Sequence, residues 1–282
     1  MVNSYHGVPT RKGRIFNIRF LKGALYIICG TVLFFLVAPV FIVIPISFSS
    51  ATYLEFPPKS LSLQWYEDYF GSHKWLSATY LSFKVGILTM LISSFIGTLA
   101  AFSLVRGKFR GKSLLYSLIL SPMIIPVIVV AIALYFFYSK LQLIGSYWAV
   151  VFGHVTIATP FVVVVVSSTL QGFDETLEYA AMSLGANKLK TFYFVTFPII
   201  KLGILSGGLF AFITSFDELL IALFLCGYKG TIPKVMWEGI RVDITPTISA
   251  VSSLLIVFSF LLFATYAIVR MKSDSKSSKK AY

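Results

Sequence analysis

The chain has 282 residues, 57% of them hydrophobic and only 12% charged, with a mean hydropathy of +0.85. Soluble domains carry roughly 25% charged residues, so the composition excludes an ordinary soluble fold and makes lipid the main solvent. The formal net charge of +13 raises nucleic acid as a partner, a question that the placement of the positive charge decides.

A bilayer's hydrocarbon core takes about 20 apolar residues per helix. By that measure six spans lie over residues 24–46, 78–104, 114–138, 147–170, 202–226 and 248–269. They predict an all-α polytopic membrane protein with one membrane domain over 24–270. A tail of residues 1–23 precedes it and a polar basic tail of residues 271–282 follows.

The first span follows the basic stretch RKGRIFNIRFLK, which resembles a secretion signal. Its apolar run is too long for one and no small-residue cleavage site ends it, so an uncleaved helix is expected. Pro39 and Pro45 near the far end mark a kink or stop. Cys29 here and Cys226 in span five sit in apolar runs without disulfide or zinc spacing, and are expected to be small buried hydrophobes. The long connection to span two holds Pro57-Pro58 and then Trp65, Tyr66, Tyr69 and Trp75, aromatics suited to headgroup depth.

After span two, RGKFRGKS at 106–113 nearly spells a phosphate-binding loop. Only three residues separate Gly107 from Gly111, no strand precedes them, and a membrane helix follows, so no such cradle forms. The chain lacks machinery to hydrolyse a nucleotide, and neither a catalytic residue nor a cofactor is expected. Spans three and four carry Pro122, Pro126 and Pro160, which kink helices. His154 in span four has no His, Cys or carboxylate at metal spacing; a hydrogen bond between helices is expected of it and no metal site.

Of the 24 Lys and Arg, 17 fall in the N-terminal tail, the loop after span two, the segment between spans four and five, and the C-terminal tail. The positive-inside rule then places both termini and those connections in the cytoplasm. The surplus charge is a topology signal, and nucleic acid drops out as a partner.

Between spans four and five lies QGFDETLEYAAMSLGANKLKTFYFVTFPIIKLG. Asp174 or Glu175 opens a helix there; Leu177, Ala180, Ala181 and Leu184 share one face. Gly185 fits the position just past the end, where positive φ is needed. A second short helix with Lys188 and Lys190 follows, and Pro198 marks the entry to span five. The resulting small apolar face suits either the lipid surface or a groove on a partner protein.

The run EYAAMSLGA followed by VTFP resembles the signature of ABC importer permeases: Glu-Ala-Ala, three residues, Gly, nine residues, Ile-x-Leu-Pro. Ala180, Ala181, Gly185 and Pro198 match it; Val195 and Phe197 replace Ile and Leu; Tyr179 stands where the first Glu belongs, with Glu178 one place earlier. FPPKSLSLQWYEDYF, SPMIIPVIVVAIAL, SFDELLIALFL and TIPKVMWEGIRVDITPTISAV are similar to the second permease of the polyamine-type (spermidine/putrescine) subfamily, whose relatives carry opines and aminoalkylphosphonates. The resemblance implies a non-catalytic permease of the type I importer fold in the inner membrane. Its partners would be an ATPase dimer, a second permease subunit in a heterodimer and an extracytoplasmic solute-binding protein. It makes 174–198 the ATPase-coupling segment, with Glu178 the candidate for the family's polar contact.

Span five holds the adjacent acids Asp217 and Glu218, past its midpoint. An acid at the centre of a span costs about 2.5–3.5 kcal/mol, so a cavity, a cation or a partner group must compensate. One reading has at least one of them, Asp217 first, line a route for a cationic solute such as a polyamine. The other has the pair accept hydrogen bonds and hold helices together. Gly207 and Gly208 allow close packing or a bend. A gradient-driven secondary transporter would use the acids equally, but repeats are absent. An intramembrane hydrolase lacks an HExxH motif.

Overall fold

The computed structural model describes residues 11–242 and 244–280; the first ten residues of the expected N-terminal tail and the last two of the C-terminal tail lie outside the described residues. The chain divides into two compact units, Met1–Glu67 with Thr245–Ala264, and Asp68–Ile244 with Thr265–Tyr282.

In the first unit, α1 (Arg11–Ser47) runs on as one helix through Pro39 and Pro45. Its apolar part, Lys22–Ser47, is long enough to cross a membrane, and the helix takes in the basic stretch expected as tail. Cys29 stands exposed on it. The connection then folds on itself: Ser49 bridges Leu61, Trp65 donates its indole N–H to the Ser49 carbonyl at 2.8 Å, and the Tyr66 hydroxyl lies 2.7 Å from Ser47 Oγ. These aromatics are anchored by their polar edges, as rings with one wet end require. Helix α2 (Gln64–Gly71) closes the connection.

The second unit is built on three long helices, α3 (His73–Arg106), α6 (Tyr147–Gln171) and α9 (Phe197–Phe216), which make the most extensive helix pairs. Between α3 and α6, the expected third span is two helices, α4 (Lys112–Ile124) and α5 (Val127–Lys140), bent by 105°. Pro126 causes the break: it forces Ile125 into extended backbone (ψ 134°) and has no N–H with which to continue the ladder. Counting that pair as one span gives six apolar crossings among the described residues; the other five are unbroken helical runs.

Helix α6 is buried at 14 of its 25 positions, so it serves as the hub. Lipid tails are as apolar as leucine and supply no hydrophobic drive for helices to associate; close contact and hydrogen bonds must do it. Close contact comes from small residues. On α3, Ala78, Ser82, Thr89, Ser93, Gly97 and Ala101 form a buried stripe at helical spacing; on α9, Gly203, Gly207 and Ala211 form another. Fully buried Val162 of α6 fits between the two stripes. A Cβ built on Gly97 would lie 2.7 Å from Val162 Cβ, and one on Gly207 would lie 3.1 Å from Val162 Cα. Gly207 therefore serves close packing, not a bend.

Two short helices, α7 (Thr176–Ser183) and α8 (Lys188–Thr191), join α6 to α9, and a π-helical turn at Phe192–Thr196 leads into α9. Pro198 sits in the first turn of α9, inside a continuous helical run from Lys188 to Phe216. It has no N–H and its ring crowds the carbonyl four residues back; the wider π turn immediately before it accommodates both defects.

The end of α7 is sealed by a two-bond glycine cap. Ala186 N–H donates to the Ala181 carbonyl at 3.1 Å and Gly185 N–H to the Met182 carbonyl at 3.0 Å, with Gly185 at φ +91°. Past α9, α10 (Leu220–Leu225) packs on α5 and α6, and buried Cys226 follows it. Helix α11 (Ile232–Val242) is tied to α3 by Ile232 N–H donating to Ser82 Oγ at 2.8 Å. The last helix, α12 (Thr247–Lys280), spans both units and runs through the expected polar tail, which contains neither Gly nor Pro to stop it.

Two outcomes follow from this packing. Gly97→Ala should destabilise the purified protein by about 1–3 kcal/mol through overpacking, read as a lower melting temperature in detergent. Gly97→Ala with Val162→Ala should cost less than the sum of the single changes, because the second makes room for the first. Gly185→Ala meets nothing within 4 Å, so its cost is conformational alone, about 1 kcal/mol. Amide exchange at Ala186 should quicken about fivefold while the α3–α6–α9 core is unchanged.

Candidate functional site

Two places gather the residues expected to work: the 174–198 segment, and the stretch that follows α9. At the first, Asp174 precedes α7, and its Oδ1 accepts the Thr176 N–H at 3.0 Å, which holds the Asp174 carboxyl below its usual value. Asn187 caps α8 in the same way, accepting the Lys190 N–H at 2.9 Å. Each short helix thus begins at a side chain that satisfies one of its free N–H groups. Only α7 is also closed at its far end, by the Gly185 cap; α8 runs on into the π turn.

The faces of α7 divide cleanly. Tyr179 is 60% exposed, Ala180 is exposed, and Leu184 is 89% exposed beside the open Gly185. Ala181 is half-buried. Glu178 turns the other way. One carboxylate oxygen accepts the Thr196 hydroxyl at 2.8 Å and the other lies 3.7 Å from Arg106 Nε, with its side chain only 17% exposed. The position expected to carry a polar contact outward is therefore committed inside the subunit, and Tyr179 takes the outward direction. One residue of offset on a helix is about 100° of rotation.

At the second place the expected fifth span, 202–226, is not one helix. Helix α9 ends at Phe216, Asp217 is its C-terminal cap, and α10 begins at Leu220. The expectation of two acids on one unbroken helix is corrected accordingly. A break leaves backbone N–H and C=O groups without intrahelical partners, and the acids respond differently. Glu218 is half-buried, and its Oε1 accepts the Ile221 N–H at 3.0 Å, so it closes the start of α10. The Asp217 carboxylate is exposed and has no hydrogen-bond or ion-pair partner among the described residues. It sits at the C-terminal end of α9, where the helix dipole is negative and a cation is favoured. Of the two, Asp217 is the one with an exposed carboxylate.

His154 is fully buried, and its Nδ1 lies 2.8 Å from Ser215 Oγ, joining α6 to the last turn of α9 before the break. It holds helices together as expected. Groups of His, Cys, Asp and Glu able to hold a metal are absent among the described residues.

The sequence offered no sign of Arg106 as a site residue. It ends α3 and belongs to the basic cluster that reads as topology, yet it pairs with Glu175, 69 positions later. Thr196 and Ser215 were equally silent, since each matters only through a partner on another helix.

Residues 93–273 match the family described as binding-protein-dependent transport system inner membrane component. The putrescine transport system permease protein PotI of Escherichia coli (strain K12) is 34% identical over 230 residues, covering 79% of this chain and 82% of that protein. The spermidine/putrescine transport system permease protein PotC of the same strain is 28% identical over 245 residues, covering 86% and 92%. The crystal structure of a bacterial ABC transporter involved in the import of the acidic polysaccharide alginate superposes with a TM-score of 0.71 at 15% identity, over 94% of this chain and 99% of that one, a likeness of fold. The chain belongs to the binding-protein-dependent transport system inner membrane components: it is a non-catalytic, multi-pass permease subunit of an ABC importer, and a separate ATPase and a solute-binding protein work with it.

Proposed function

We propose that this subunit forms half of the translocation pathway for a small cationic solute, a polyamine of the putrescine and spermidine kind, beside a second permease subunit. The observation that carries the reading is the unpartnered Asp217 carboxylate at the negative end of α9, in the gap between α9 and α10. Ammonium groups need a counter-charge in a low-dielectric passage, and the interrupted helix supplies a carboxylate and a dipole end at the same point. The sequence relatives whose names carry putrescine and spermidine support that choice.

In this reading both termini and the 174–198 segment face the cytoplasm. The exposed face of α7, with Tyr179, Ala180 and Leu184 and the turn at Gly185, docks on the ATPase. Ala181 lets the two backbones approach, and Glu178 and Pro198 shape the segment from behind.

One observation favours a second reading, a solute that also bears an anionic group, such as an opine or an aminoalkylphosphonate. A cleft of about 740 Å³ in the second unit is lined by Lys74, Lys84, Lys229 and His73, with Glu238 the acidic member. Lys84 lies over the Tyr147 ring at 4.5 Å.

Cysteine at Ser183 should cross-link to the nucleotide-binding subunit in the assembled importer, and cysteine at Glu178 should not. Cross-linking at Glu178 alone would reverse the assignment of faces. In vesicles of the reconstituted importer, Asp217→Asn should lower putrescine uptake about tenfold, the equivalent of roughly 1.4 kcal/mol of lost attraction, with assembly and ATP hydrolysis kept. Glu218→Gln retains an oxygen acceptor for Ile221 and should leave uptake within about twofold. Failure of Asp217→Asn to assemble would make the acid structural. Uptake of a phosphonate in preference to putrescine would establish the second reading.

A further inference from the structure

The joint between α6 and α7 is the weak mechanical point of the 174–198 segment. Residues 172–175 are outside any helix, so α7 would swing about them unless something else held it. Arg106, the last residue of α3, holds it. The Arg106 side chain is 17% exposed; Nη1 donates to Glu175 Oε1, and the guanidinium sits over the Phe173 ring at 5.4 Å. Its Nε lies 3.7 Å from Glu178 Oε2, and the second oxygen of that carboxylate accepts from Thr196 on the π turn entering α9. One side chain thus links α3, the start of α7, the first turn of α7 and the approach to α9.

The two arms differ in kind. Glu175 is 48% exposed, and such a pair contributes little to stability. Glu178 is as covered as the arginine, so its charge depends on the guanidinium and Thr196 for compensation. The Nε and Nη2 groups of Arg106 are buried and make no hydrogen bond among the described residues. At 3.7 Å the Nε–Glu178 arm is an ion pair just short of a hydrogen bond, and a planar guanidinium favours engaging both arms. An approach of α7 toward α3 by less than 1 Å would close it.

We infer that Arg106 is a positioning residue that fastens α7 to α3, so that a displacement imposed on α7 is delivered to α3 and is not absorbed at 172–175. The inference rests on the reading of α7 as the surface that meets the ATPase. Lysine keeps the charge but not the fork, so Arg106→Lys should fall between the native protein and Arg106→Gln.

The test uses the assembled importer in a Cys29→Ser background, with spin labels at cysteines replacing the exposed Ser103 on α3 and Thr176 on α7. Arg106→Gln should broaden the label-to-label distance distribution. In vesicles loaded with ATP it should raise the ATP hydrolysed per putrescine imported about tenfold, the size of effect known for residues that carry coupling without touching a ligand. An unchanged distribution in Arg106→Gln would overturn the inference, as would import and hydrolysis falling in step. If Arg106→Gln does not assemble, Glu178→Gln removes the same ion pair while an oxygen for Thr196 remains, and the same two outcomes decide. The distance measurement needs neither nucleotide nor solute. A native chain that brings down no ATPase would defeat the docking reading, while the label distance would still decide the clamp.

Discussion

The close approach of α3, α6 and α9 around Val162 is the constraint on which the rest of the subunit depends. In lipid, helices gain nothing by hiding apolar surface from one another, so they associate only where their shapes allow dense contact. Gly97 on one side of Val162 and Gly207 on the other provide that shape. With those three helices fixed, the polar contacts become possible: His154 reaches Ser215, and Thr159 reaches Ser93. In a dry interior, hydrogen bonds of this kind specify one arrangement of helices over its neighbours.

On that base the two candidate sites sit at opposite ends of one rod. Helix α9 has 20 residues, about 30 Å at 1.5 Å per residue. Thr196, bonded to Glu178, stands just before its start, and Asp217 caps its end. A rod packed through glycines against two neighbours resists bending, because each glycine contact fixes the distance between backbones. The helix changes character at both limits of the rod: it widens to a π turn before Pro198 and breaks after Phe216. Those interruptions are the places where orientation can change while the rod stays intact.

Much of this could be read in the sequence, for physical reasons particular to each element. Long apolar runs have no alternative to helix in lipid, so the spans around residues 78–104 and 147–170 were plain. Gly185 was legible because only glycine adopts φ +91° without strain. Pro126 and the acids were visible as anomalies, but their consequence was not. A proline can kink a helix or end it, and neighbouring contacts decide which; here Pro126 begins a new helix at 105° to the last. Asp217 and Glu218 stand adjacent in one apolar run that reads as a single helix, whereas the helix stops between α9 and α10 and Glu218 caps its restart. The pairing of Arg106 with Glu175 and Glu178 had no local signature at all, since nothing within a window of neighbours reveals a contact made across 69 positions.

The one-position departure of EYAA from the family's Glu-Ala-Ala pattern acquires a physical meaning in this arrangement. An acid at 179 would point out of the subunit with the exposed face of α7; an acid at 178 points in, where Arg106 and Thr196 await it. The chain has placed its carboxylate where it ties the segment to its own membrane helices and left an aromatic ring, Tyr179, on the outer surface. A tyrosine there offers a large contact area with only a phenol to keep solvated, which suits the proposed docking on an ATPase. Under that proposal the outer contact at Tyr179 and the ion pair at Glu178 fall on neighbouring residues of one turn, so force entering through the first would have a short, charged path into the second.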